Sequence, residues 1–264
     1  MYEDLLPHTL PSETKRLDQM GRAHDPDTQA AIRRLNLPSA STCLDIGTGR
    51  GSVAIWLAQT MPDAKIIAGD LDLSSVRQND LPNLKLAKMD VRNEDLGEGH
   101  YDLIHCRAVL CFLPTRTEIL GRIKRALKPG GAFVVTEMDF GPIASGPSRF
   151  WASFWTAYLE NAAAQDWDFE FGGRLPRLLV GLGFDEIDAR HIQPILNHAG
   201  DTPGAAEAET WSLTLATLAS KLIDNGHMPE SMLREALEII RNPNAWTAGP
   251  GFMVATARRP TQDA

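Results

Sequence analysis

Cysteine is scarce in this chain: Cys43, Cys106 and Cys111 are the only 3 in 264 residues, and no two form a C-x-x-C pair. All three lie in or beside apolar, strand-like runs, which reads as buried thiols rather than a disulfide or a metal site. Long apolar runs are also missing. No stretch reaches the roughly 20 residues needed to span a bilayer, and Met1 to Leu10 is acidic and proline-punctuated, unlike a secretory signal. The expectation is a cytoplasmic chain with no membrane partner. Positive charge is in deficit, with 26 Lys and Arg against 34 Asp and Glu, a formal net charge of -8. A nucleic-acid backbone is therefore a poor general partner, and the local run Arg122-x-Lys124-Arg125 reads as the solvated face of a helix. There is no internal repeat and no low-complexity tract. What remains is ordinary globular composition, 43% hydrophobic and 23% charged, long enough to bury one large core; a two-domain reading is possible but not required.

The stretch that organises the rest is Cys43-Leu44-Asp45-Ile46-Gly47-Thr48-Gly49-Arg50-Gly51-Ser52. An apolar run passes through an acid into three alternating glycines, and an amphipathic run from Val53 to Gln59 follows, which predicts strand, tight turn and helix. Glycine tolerates positive φ and has no Cβ to hold a ligand away, and the helix start presents unpaired N–H groups. The spacing Asp45-x-Gly47-x-Gly49-x-Gly51 departs from the G-x-G-x-x-G of dinucleotide turns. An acid at the strand end repels a pyrophosphate but suits a positively charged ligand. A merely structural turn is the alternative.

On these residues the chain resembles the class I S-adenosylmethionine-dependent methyltransferases, whose first motif is D/E-x-G-x-G-x-G and whose cofactor carries an ammonium and a sulfonium. Further motifs follow in order. Lys65 to Asp72 reads as a second strand ending in two acids, Asp70 and Asp72, either placed to accept the ribose hydroxyls; counting from Gly51 favours Asp70, the Asp72-x-Ser74 pattern favours Asp72, Asp70 is the expected ribose ligand, and the other acid caps the helix starting near Ser74. Leu84 to Val91 reads as a third strand, whose Asp90 and Val91 match the family's adenine motif. Tyr101 to Arg107 resembles the fourth-strand run, where backbone carbonyls near Cys106 and the Arg107 side chain face the methionine portion in many relatives. Arg116 to Leu127 is an amphipathic helix, and Leu127-Lys128-Pro129-Gly130-Gly131 matches the turn before the fifth strand, Ala132 to Thr136. The resemblance then implies a cofactor site of Asp45, Gly47, Thr48, Gly49, Gly51, Ser52, Asp70, Leu71, Asp72, Asp90, Val91, Cys106 and Arg107.

The implied fold is α/β: a Rossmann-like, seven-stranded, mostly parallel sheet with an antiparallel C-terminal hairpin, helices on both faces, and helical insertions forming a lid or cap. It reads as one domain over 1–264: a helical leader (1–40), the cofactor core (41–140), insertions at 141–172 and 200–247, and the end of the sheet at 173–199 and 248–260. In the leader, one helix starts near Ser12 and another is capped by Asp25-Pro26-Asp27-Thr28 and runs to Leu35. By resemblance Glu13, Arg16 and Met20 are lid candidates, against an N-terminal helix merely packed on the sheet edge. In the first insertion Phe150, Phe154 and Tyr158 recur at helical spacing. Such a row is more often core than ligand wall, but an insertion above the strand ends lies where open sheets bind ligands, so Phe154, Trp155 and Tyr158 are candidate substrate-pocket residues.

The implied activity is methyl transfer from S-adenosylmethionine to a small, secondary-metabolite-like molecule or short peptide, by a monomer or homodimer. The competing reading is a cofactor-binding protein on the same fold that transfers no methyl, a scaffold or cyclase. A nicotinamide oxidoreductase is opposed by the glycine spacing. Because a sulfonium methyl is already activated, no general base is required; His8, His105, His191 and His198 are weak candidates for one. Glu137 and Asp139, two carboxylates at a strand end, are insufficient for a metal site, and none is expected.

Overall fold

The computed structural model describes residues 11–76, 80–144, 148–224, 226 and 228–261. His8, and the leader's first ten residues with it, lie outside them. The main sheet has seven strands in the order β3-β2-β1-β4-β5-β9-β6: β1 (Thr42–Ile46), β2 (Lys65–Asp70), β3 (Leu84–Lys88), β4 (Tyr101–Arg107), β5 (Leu127–Asp139), β6 (Asp185–Ile192) and β9 (Gly251–Arg258). The first five are parallel, and β9 runs antiparallel to both β5 and β6.

Strand alternation explains why the sheet is covered on both faces. Leu44, Ile46, Ile104, Cys106, Phe133 and Val135 point into one buried cluster. Their neighbours Cys43, Leu103, Ala132 and Val134 point into the other. A parallel strand buried on two faces needs a near-continuous apolar run, which is what these stretches are. The three cysteines are buried thiols; burial pushes Cys43 up to about 12 and holds Cys106 and Cys111 well above the ordinary thiol range.

Helix α1 (Pro11–Arg34) corrects the two-helix reading of the leader. It is one continuous helix with Pro26 inside it. Asp25, expected to cap a second helix, instead accepts from Ser52 Oγ at 3.0 Å and Arg107 Nη1 at 2.8 Å. Those bonds clamp the helix to the sheet just where its own ladder loses an N–H to proline. Helices α2 (Ser52–Thr60) and α3 (Arg116–Ala126) follow as the motifs implied. The 3₁₀ turns η1 (Leu73–Ser75) and η2 (Leu110–Phe112) sit past β2 and β4. The expected third strand is shorter: β3 ends at Lys88, and Met89 to Val91 continue beyond it.

Helices α4 (Gly141–Ala144), α5 (Arg149–Ala163) and α6 (Phe171–Gly181) come between β5 and β6. The excursion between β6 and β9 carries α7 (Pro203–Asp224) and α8 (Glu230–Arg241). It is pinched at its base by a two-stranded ribbon, β7 (Ile195–Leu196) against β8 (Thr247–Ala248), which the sequence reading did not anticipate. Helix α7 packs along α1, so the leader and the excursion between β6 and β9 meet beside the strand ends.

Candidate functional site

Strand order reverses between β1 and β4, and the ligand crevice of an open α/β sheet lies outside the strand ends at such a point. A cavity of about 470 Å³ opens there. Its floor is the glycine turn. Gly47, Gly49 and Gly51 all have positive φ, 66°, 55° and 76°. At Gly47 a Cβ would lie 2.3 Å from Val109 Cγ2, whereas at Gly49 its nearest neighbour would be Leu17 Cδ2 at 4.0 Å. The first glycine is demanded by the protein's own packing and the second keeps the cavity clear. Gly51, at the N-terminus of α2, faces Val76 and Ile55 and is not part of the cavity wall.

Asp45 and Thr48 line this floor. The Asp45 carboxylate accepts from Thr48 Oγ1 at 2.6 Å and pairs with His105 Nδ1 at 2.6 Å. A carboxylate only accepts, so His105 donates from Nδ1, and in a neutral ring that leaves the lone pair on Nε2. That Nε2 is buried and has no partner, an orphan acceptor beside a negatively charged carboxylate. The arrangement fits the ammonium of S-adenosylmethionine, and the open face of Gly49 fits the close approach of a ligand.

The acids after β2 divide as their backbones dictate. Asp70 lines the cavity, accepting from Gly49 N at 2.8 Å and Asp72 N at 3.2 Å. Asp72 accepts from Ser74 N at 2.8 Å as the cap of η1 and stands outside the lining. Leu71, Asp90 and Val91 complete this end. Arg92 donates to both Asp90 oxygens, at 2.8 Å and 2.7 Å, and this bonding holds the Asp90 carboxyl below its usual range. Asp70→Ala is expected to weaken S-adenosylhomocysteine binding roughly 10- to 150-fold, the equivalent of losing about 1.5 to 3 kcal/mol of hydrogen bonds to a charged acceptor. Asp72→Ala is expected to change it less. Calorimetric titration of both variants checks the order, and a weaker Asp72 variant reverses the assignment.

Ser52 and Arg107 also reach the cavity. Arg107 donates to Asp25 at 2.8 Å and to Ser52 Oγ at 3.3 Å, so its charge is matched within the wall. The adjacent Ala108 has φ 52°, a left-handed backbone uncommon for a residue with a Cβ. Cys106, expected at the site, is wholly buried in the core and outside the lining.

Arg16 and Met20 face the cavity from α1, on one helical stripe with Leu17 and His24. Arg16 is buried against Glu13, with Nε 2.7 Å and Nη2 2.8 Å from its carboxylate. Of the three aromatic residues expected to wall the substrate pocket, Tyr158 does so, while Phe154 and Trp155 are corrected to core residues with no exposed surface. Trp155 packs edge-on to Phe140 and Trp211, inside a cluster of rings where its large apolar area is fully buried. His191 and His198 also stand outside the cavity, His191 Nε2 3.4 Å from Asp139 and His198 Nε2 3.8 Å from Glu209.

Among the cavity residues that the sequence reading did not single out are His24 and Glu207. His24 follows Leu17 and Gly21 among the buried residues of α1, and Glu207 precedes Trp211, Leu215 and Leu218 among those of α7. An ionisable residue on the apolar face of an amphipathic helix is the signal that was available.

Residues 20–193 match a family model described as a methyltransferase domain. Over 202 residues the chain is 27% identical to methyltransferase str3 of Strobilurus tenacellus, covering 73% of this chain and 70% of that protein. It is 29% identical over 193 residues to a trans-aconitate 2-methyltransferase of Methylobacterium radiotolerans, 68% of this chain and 63% of the relative. Among solved structures, phosphoethanolamine N-methyltransferase 2 of Haemonchus contortus, in complex with phosphomonomethylethanolamine and S-adenosylhomocysteine, superposes with a TM-score of 0.59 at 17% identity, over 89% of this chain and 52% of that one. The cyclase SpnF superposes with a TM-score of 0.56 at 16% identity, over 90% and 82%. At such identities these likenesses carry the fold alone.

Proposed function

Given that the chain belongs to the class I S-adenosylmethionine-dependent methyltransferases, we propose that it methylates a small, largely apolar acceptor in the cavity between α1, α7 and the strand ends. The observation that carries this reading is the continuity of one cavity from the glycine turn to a wall of rings, Phe112, Tyr158, Trp167, Phe169, Trp211 and Phe252. An apolar enclosure with few polar groups is the usual form of a small-molecule site, and it offers nothing like the basic groove a nucleic acid needs.

When bound, S-adenosylmethionine supplies a methyl group already activated by a sulfonium. The residues that would hold it are the Gly47–Gly49 turn, Asp70 at the ribose, Asp90 and Val91 at the adenine, and the Asp45–His105 pair at the ammonium. What remains for this chain is to exclude water and aim the acceptor. Positioning alone supplies about 7 to 11 kcal/mol of a barrier when two reactants are held in line. Helices α1 and α7 provide that enclosure, each presenting one face to the cavity. Neither scaffold nor cyclase activity draws support from a particular residue here.

The test is transfer of a labelled methyl group from S-adenosylmethionine in the presence of a panel of small aromatic and aliphatic metabolites, a peptide mixture and total RNA. Label is expected in an organic-extractable product. Label found only in peptide or RNA would overturn the acceptor class, and intact cofactor throughout would overturn methyl transfer itself.

A further inference from the structure

Within that reading of the cavity, its wall carries a buried histidine–carboxylate pair. His24 from α1 and Glu207 from α7 are both buried, with Nε2 and Oε2 2.9 Å apart. Glu207 Oε1 accepts from Trp211 Nε1 at 2.7 Å, and the His24 ring lies 4.1 Å from that of Phe252. The His24–Glu207 contact is close but off the line of a straight hydrogen bond, so both atoms still lack an aligned partner. Catalytic contacts are often loose before the substrate enters and tighten with it.

The rest of the wall decides which chemistry fits. Each arginine lining the cavity is matched by an acid: Arg16 by Glu13, Arg50 by Asp18, Arg92 by Asp90 and Arg107 by Asp25. The α7 hydroxyls donate inward to their own helix, Thr210 to Ala206 O at 2.9 Å and Thr214 to Thr210 O at 2.8 Å. Thr210 and Thr214 therefore offer the cavity lone pairs, as Glu207 does. An acceptor carrying carboxylates would meet acceptors and already balanced cations. An acceptor carrying a hydroxyl would meet partners.

We infer that the acceptor is a neutral aromatic hydroxyl compound and that His24, oriented by Glu207, takes its proton. Because Glu207 only accepts, the imidazole carries its own proton on Nε2 and uses the Nδ1 lone pair as base, the division of labour seen wherever a carboxylate backs a histidine. The acceptor's O–H bond breaks as the proton passes to Nδ1. Its oxygen forms the bond to the methyl carbon while the carbon–sulfur bond breaks, leaving that electron pair on sulfur. The imidazolium is stabilised by Glu207 and loses its proton to solvent after product release. His24 is then a catalytic residue and Glu207 a positioning residue.

The experiment begins with the wild-type protein saturated with S-adenosylhomocysteine, titrated with 2-naphthol, naphthalene, 2-naphthoate and 2-naphthylmethylamine and followed by tryptophan fluorescence. 2-Naphthol is expected to bind at least tenfold more tightly than the other three; tighter binding of the carboxylate or the amine overturns the inference. With S-adenosylmethionine, 2-naphthol is expected to be methylated, and His24→Gln to slow its turnover at least 100-fold with S-adenosylhomocysteine affinity unchanged. 4-Nitrophenol, ionised at mildly alkaline pH, needs no base, so however weakly this anion binds, the variant is expected to lose at least tenfold less of its turnover on it than on 2-naphthol. An equal loss on both phenols overturns the base assignment in favour of a packing role. Glu207→Gln keeps an oxygen for Trp211 and removes the charge, and a smaller loss in the same pattern is expected. Methylation of trans-aconitate but of neither phenol would leave methyl transfer standing and remove this inference; binding of the cofactor with transfer to no acceptor would remove both.

Discussion

Gly49→Val is expected to abolish cofactor binding and leave the protein folded. A Cβ at this position would meet nothing closer than Leu17 Cδ2 at 4.0 Å, so the protein itself does not oppose a side chain there. The backbone does, since φ is 55° and a branched residue in the left-handed region costs roughly 1 to 3 kcal/mol. Against a typical stability of about 5 to 15 kcal/mol, that is survivable. The valine methyls, however, would occupy the space the ligand needs beside the Asp70 carboxylate. Calorimetry with S-adenosylhomocysteine is expected to show at least a 100-fold loss, about 2.7 kcal/mol, with a cooperative thermal transition retained. Affinity near wild type would remove this turn from the site. Gly47→Ala is the informative control, because its Cβ would lie 2.3 Å from Val109 Cγ2; it is expected to lose stability first and binding as a consequence.

The cofactor half of the site was legible because each of its parts is local. A glycine turn, an acid at the next strand end and an L-K-P-G-G stop each span a few residues, and a parallel strand buried on both faces must be written as an apolar run. The choice of Asp70 over Asp72 rested on a residue count alone, since both suit a strand end. It depends on which carboxylate the backbone of Ser74 captures, and Ser74 N lies 2.8 Å from Asp72. Pro26 misled for a related reason: local propensity ends a helix there, and the bonds from Asp25 to Arg107 and Ser52 hold it together from residues distant in the chain. The acceptor half is assembled almost wholly from such distant meetings. His24 and Glu207 come together only because α7 folds back along α1. Phe154, Trp155 and Tyr158 share a helix and a composition, yet only Tyr158 faces the cavity; periodicity groups them without saying which faces core and which faces ligand.

Glu137→Ala is expected to be among the most destabilising single changes outside the apolar core, although nothing in the sequence distinguishes this acid from Asp139. Glu137 has no exposed surface. Its Oε1 accepts from the backbone N–H of Val109 at 3.2 Å and of Leu110 at 2.8 Å, and its Oε2 from that of Cys111 at 3.1 Å. Burial pushes its carboxyl above the ordinary range, while those amides pull the other way. The carboxylate is thus committed to capping η2. Removing it strands two buried N–H groups and a partly buried one at about 1 to 3 kcal/mol each, so a loss of roughly 3 kcal/mol or more is expected. For a chain of this size that lowers the melting temperature by roughly 6 to 12 °C. Glu137→Gln keeps one oxygen for Val109 and Leu110 but turns an NH₂ toward the Cys111 N–H, and it is expected to lose about half as much. The consequence reaches the cavity, because Val109 packs over Gly47 and Phe112 forms part of the ring wall. Loosening this segment is therefore expected to weaken S-adenosylhomocysteine binding along with stability. Thermal melts with and without saturating ligand separate the two effects: a variant that melts like wild type would show that the amides find other partners, and one that melts early but binds normally would show that η2 is not needed to shape the site.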